Sequence, residues 1–69
     1  LGQAVEAIVH FEEALRLLKR EHGDRPYSET IKALMNLGLA YKELREFEKG
    51  IEYLNTSLVM ARELHEGRP

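Results

Sequence analysis

The feature that most constrains this chain is that it repeats itself. Displaced by 43 residues, the sequence overlays on its own beginning. Leu1 falls on Leu44, Ile8 on Ile51, Leu15 on Leu58, His22 on His65, Arg25 on Arg68 and Pro26 on Pro69. Near-matches fill the gaps: Ala7 with Gly50, Phe11 with Leu54, Ala14 with Ser57, Leu17 with Met60 and Lys19 with Arg62. Leu1, Ile8, Leu15 and His22 recur at steps of seven, two helical turns, so they mark one seam along a helix. Repeats of this size are supersecondary units that bury a continuous core by stacking on neighbours.

The local pattern says that each unit is helical. From Gln3 to Glu21 the residues Ala4, Ala7, Ile8, Phe11, Ala14, Leu15 and Leu18 recur at three- and four-residue steps, the amphipathic period. The stretch HGDRP, His22 to Pro26, then supplies turn residues. Ser28 is the expected N-cap of a second helix, with Glu29 favourable in its first turn. Ile31, Leu34, Leu37, Gly38, Tyr41 and Leu44 form its apolar face. The periodicity re-phases at Arg45 and Glu46. A third helix is expected there, with Phe47, Ile51, Leu54, Leu58 and Ala61 as its stripe and an end near His65.

These residues carry a family resemblance. The segment NLGLAYKELREFEKGIEYLNTSL, Asn36 to Leu58, resembles a tetratricopeptide repeat (TPR). Leu37, Gly38 and Tyr41 match the leucine, small residue and aromatic of that family's first helix, and Leu34 matches its bulky position. Gly50, Leu54 and Ser57 stand where the second helix carries alanine, aromatic and alanine. Ala7, Phe11 and Ala14 fit that pattern better. The standard unit is about 34 residues; this longer one is similar to the extended repeats of kinesin light chains. Arg45 departs from the glycine usual at the inter-helix turn.

The resemblance implies an all-α, antiparallel helix-turn-helix α-solenoid of three helices. Residues 1–25 would be the second helix of one repeat plus its connection, and residues 26–69 one complete repeat. Leu1 in place of an initiator methionine fits a fragment of a longer chain. Small residues on facing helices let the backbones approach. Gly38 is therefore expected to face a second helix at its closest crossing, with Gly50 and Ala7 at equivalent points in successive units, the alternatives being a hinge or a tolerated defect.

Chemistry is sparse. His10, His22 and His65 show no helical metal spacing, and His22 and His65 sit at helix ends, where they can bond the last carbonyls. Glu12 and Glu13 are adjacent and cannot share a helix face, so no paired acid and base is expected. Ser28 and Ser57 have no base at a suggestive spacing, and no glycine-rich phosphate loop occurs. No catalytic residue, metal or cofactor is expected. With 10 Lys and Arg against 12 Asp and Glu, the chain lacks the basic stripe of a phosphate-backbone binder. No apolar run has membrane-span length, no signal-peptide pattern opens the chain, and there is no cysteine. An intracellular, cytoplasmic protein without nucleic-acid or membrane partners is the expectation.

What such a chain can do is bind protein. Lys32, Met35, Asn36, Leu39 and Glu43 lie opposite the packing seam of the second helix. The resemblance implies that these positions touch a peptide or partner helix on a concave face. The Asn36 amide can donate and accept at once, the alternative being a local backbone bond or plain exposure. Met35 and Leu39 stand where repeats that grip acidic chaperone tails carry lysine and asparagine, which argues against that ligand. A second expectation is an interior spacer of a longer solenoid, stacking end to end on copies of itself. On that reading Ala4, Ile8, Phe11 and Leu15 are left partly uncovered.

Overall fold

The computed structural model describes residues 2–66; Leu1, Arg68 and Pro69 of the repeat lie outside them. The described chain is three helices: α1 (Gly2–His22), α2 (Ser28–Glu43) and α3 (Phe47–Glu66). The protein is all-α.

The helix ends follow from backbone chemistry. Gly23 closes α1 at φ +66°, and its N–H donates to the Lys19 carbonyl at 2.7 Å. Glycine takes this left-handed conformation without a Cβ penalty. Arg45 does the same work between α2 and α3 at φ +64°. Its N–H donates to the Lys42 carbonyl and that of Glu46 to the Tyr41 carbonyl, both at 2.9 Å. This pair of bonds is the Schellman arrangement, built here on an arginine. The Glu46 carbonyl then accepts the Gly50 N–H at 3.0 Å and starts α3. At α2 the expected cap is displaced by one residue. Tyr27, not Ser28, is the N-cap, in extended conformation and without a side-chain cap bond. Its ring instead stacks on His22, centroids 3.7 Å apart. That stack, and not a carbonyl bond, is what His22 contributes at the end of α1.

The molecule is a slab measuring 44 × 22 × 13 Å over its Cα atoms. α2 packs against both α1 and α3, whose backbones do not approach each other among the described residues. Being central, α2 is buried over more than one stripe. Leu34, Leu37, Gly38 and Tyr41 are buried as expected, but so are Thr30, Ala33 and Ala40. Leu37 is wholly inaccessible.

α1 presents its expected stripe to α2. Ala4, Ile8 and Leu15 are buried, and Ala7, Phe11, Ala14 and Leu18 half-buried. Of the four residues expected to be partly uncovered for end-to-end stacking, Ala4, Ile8 and Leu15 are instead buried, and Phe11 is half-buried. The apolar residues that α1 leaves open are Val5, Val9 and Leu17.

α3 corrects the expected stripe. Phe47, Ile51 and Leu58 are exposed, while Gly50 and Ser57 are buried, with Tyr53, Leu54, Met60, Ala61 and Leu64 half-buried. The helix turns its small residues toward α2 because contact there is backbone to backbone. A Cβ on Gly38 would stand 2.6 Å from Leu54 Cγ and 3.0 Å from the Gly50 carbonyl oxygen. One on Gly50 would stand 2.9 Å from the Gly38 carbonyl oxygen. The two glycines face each other at the crossing. Ser57 meets its polar requirement by donating to the Leu54 carbonyl at 2.7 Å.

Candidate binding faces

A slab this thin has two broad faces, and α2 contributes to both. At 100° per residue, Lys32, Met35, Asn36, Leu39 and Glu43 run along one side of α2 and Leu34 and Tyr41 along the other.

All five residues singled out from sequence are exposed. Met35 and Leu39 are 44% and 48% exposed, so about half of each apolar side chain already meets the protein and half is free for a partner. Lys32 and Asn36 line a shallow groove of about 200 Å³ between α2 and α1, together with His10, Phe11, Ala14, Leu18, Glu29 and Ala33. No group among the described residues bonds the Asn36 amide, so the local-bond alternative finds no partner. Glu43 lies at the last position of α2, beyond this groove. The structure thus brings Lys32 and Asn36 together with α1, continues the stripe through Met35 and Leu39, and leaves Glu43 at its end.

On the opposite side lies a groove of about 410 Å³, roughly twice the volume, flanked by α1 and α3 and lined by Leu34 and Tyr41 of α2. The Tyr41 hydroxyl donates to the Glu12 carboxylate at 2.9 Å. The Tyr41 and Tyr53 rings are nearly parallel, with centroids 5.6 Å apart. Lys49 Nζ lies 5.3 Å from the Tyr41 ring centroid, within cation–π range. Burial first, and then the bond and negative charge of Glu12, raise the Tyr41 hydroxyl to about 12. Burial likewise raises Tyr53. This cluster ties the three helices together through polar tips.

By sequence, Tyr41 stands out for its bulk and Glu12 only as half of an adjacent acidic pair. A signal was present: a tyrosine on a buried seam needs a partner for its hydroxyl. Glu13 instead pairs with Arg16 in the open, and that guanidinium holds its carboxyl below the ordinary value.

Among the described residues no group of His, Cys, Asp or Glu is placed to hold a metal ion. No described helix is long and apolar enough to cross a membrane. In comparisons with known proteins, the chain matches no family model, no curated protein and no solved structure.

Proposed function

We propose that this chain is a non-catalytic protein–protein interaction module of TPR type, which holds an extended peptide or partner helix along α2. The observation that carries the reading is the stripe Lys32, Met35, Asn36, Leu39 and Glu43. It sets half-exposed, adaptable apolar side chains beside an unbonded amide on a rigid central helix. An amide in that position bonds a peptide backbone whatever the peptide's sequence. Met35 adapts its thioether to the partner's shape. The helix beneath needs no reordering on binding, which lowers the cost of association. The supporting facts are the Leu37–Gly38–Tyr41 spacing, the Gly38–Gly50 crossing and the 43-residue repeat. They fit an α-solenoid whose first helices present a concave surface, in an intracellular scaffold.

The test is selection of binding peptides from a random displayed library, followed by titration of each against the parent and the Asn36→Ala/Leu39→Glu variant. Both positions are exposed, so the variant keeps the fold. Loss of an apolar anchor and a backbone bond should weaken binding at least tenfold, about 1.4 kcal/mol. Amide shifts should cluster on Lys32 to Glu43. Selected peptides that bind both proteins equally would count against this face.

A further inference from the structure

The groove of about 410 Å³ between α1 and α3 shares no residue with the stripe on the other side of α2. Its lining residues come in pairs seven apart: Glu12 and Lys19 on α1, Tyr41 and Leu34 on α2, Lys49 and Thr56 on α3. Seven residues span about 10 Å of helix. α2 runs antiparallel to its neighbours, since Tyr41 bonds Glu12 while Tyr27 stacks on His22, and Lys49 lies over Tyr41. Glu12, Tyr41 and Lys49 therefore share one end of the groove, and Lys19, Leu34 and Thr56 the other.

The two ends differ in charge. Glu12 and Glu52 line the groove towards the tyrosine end, and Glu46 lies near enough for its charge to raise the Tyr41 hydroxyl. Glu12 and Glu52 likewise raise Tyr53. Against these three carboxylates stands one ammonium, that of Lys49 over the Tyr41 ring. Tyr41 engages only one Glu12 oxygen, and no cation among the described residues pairs with Glu12 or Glu52. At the other end no carboxylate lines the groove beside Lys19. Thr56 spends its proton on the Glu52 carbonyl at 2.9 Å, so Lys19 is the donor there. Leu15 and Leu34 supply apolar lining between the ends.

We propose that this groove binds a small dipolar ligand of the guanidino-acid class, with its guanidinium on the tyrosine pair beside Glu12 and Glu52 and its carboxylate on Lys19. The volume suits a small molecule. A guanidinium is planar, stacks on aromatic rings, forks onto carboxylates and holds water more loosely than an ammonium. The aliphatic stem of such a ligand covers Leu15 and Leu34. Lys49 demonstrates that the Tyr41 ring accepts a cation, and as the internal occupant it competes with the ligand. An α-ammonium next to the ligand carboxylate would meet only Lys19, so the ligand carries none or has it acylated.

The experiment titrates the chain with Nα-acetylarginine and follows the Tyr41 and Tyr53 ring resonances by NMR. Saturable shifts of both rings at millimolar probe are expected. Nα-acetylarginine amide, which lacks the carboxylate, should bind about tenfold more weakly, the loss of one charge-assisted bond. Lys19→Gln should weaken the acid and erase its advantage over the amide. Glu52→Gln should weaken both probes, and Lys49→Gln should tighten both by removing the internal competitor. These three side chains are exposed, so circular dichroism should show each variant folded like the parent. Rings that do not shift overturn the proposal, as do acid and amide binding the parent equally. Substitutions of Lys19 and Lys49 that act in the same direction would reveal general charge attraction and also overturn it. Nα-acetyllysine binding as tightly as the arginine probe would remove the guanidinium assignment. The Asn36→Ala/Leu39→Glu variant should bind the probe like the parent, so this outcome is independent of the peptide-binding test.

Discussion

Replacing Gly38 with alanine puts the α2–α3 crossing to the test. Helix propensity alone favours the change by about 1 kcal/mol. The crossing opposes it. The new Cβ would lie 2.6 Å from Leu54 Cγ, 2.9 Å from its Cδ2 and 3.0 Å from the Gly50 carbonyl oxygen. Cγ is the branch point of leucine, so relief requires a new χ1 and not the swing of one methyl. Leaving its rotamer costs Leu54 about 0.5–1.5 kcal/mol. The carbonyl belongs to the backbone of α3 and moves only with the helix. Together these place the cost in the upper part of the roughly 1–3 kcal/mol typical of overpacking. Set against the propensity gain, the net loss is about 1–2 kcal/mol. Each kcal/mol lowers Tm by about 4–8 °C in a domain of this size. Gly50→Ala should be at least as costly, because its Cβ would face backbone alone, at 2.9 Å from the Gly38 carbonyl oxygen and 3.4 Å from Lys42 N. Urea unfolding followed by far-UV circular dichroism measures both. A Gly38→Ala protein as stable as its parent, or more stable, would refute the close-crossing argument and leave the glycine a plain helix defect.

Two further outcomes follow from the turns and the tyrosine cluster. Arg45→Gly should raise stability by about 0.5–1 kcal/mol in the same assay, since the left-handed cost of about 1–2 kcal/mol for a residue with a Cβ is only partly offset by glycine's greater chain entropy; a loss would mean that the arginine side chain holds the turn. Tyr41 ionises at about 12 in the fold and near 10 in an unfolded chain. Its protonated form therefore stabilises the fold fully below about pH 10, and this contribution fades as pH rises through about 12. The stability difference between the parent and Tyr41→Phe should shrink over that window, and a difference flat with pH would contradict the Glu12–Tyr41 assignment.

The helical plan was legible because periodicity reports burial directly wherever one face is covered. The stripe of α1 reads correctly down to Leu18 for that reason. In α2 the same logic found Leu34, Leu37 and Tyr41 but not Thr30, Ala33 and Ala40, because two neighbours bury more than one face. In α3 the expected stripe holds at Leu54 and Ala61, which are half-buried, and fails at Phe47, Ile51 and Leu58, because the inward contact is made by Leu54 with the Gly50 and Ser57 that the family resemblance placed there. Hydrophobicity marks a surface that wants cover; it does not say whether the cover is present. The five-residue stripe from Lys32 to Glu43 was accessible from helical geometry once the packed side of α2 was known. The Glu12–Tyr41–Tyr53 cluster was not, because it joins positions on three helices whose relative rotation no local pattern encodes.

The central position of α2 also bears on how the molecule comes together. The backbones of α1 and α3 approach α2 and not one another, and the Tyr41 side chain couples the two pairings through Glu12 and Tyr53. The α2–α3 pair is joined across residues 44–46 and needs almost no loop closure, which favours rapid zipping of local contacts. The α1–α2 pair is joined across residues 23–27, a connection only slightly more costly to close, so both pairings are local. A binding stripe placed on α2 therefore sits on the one helix whose position is fixed from two sides.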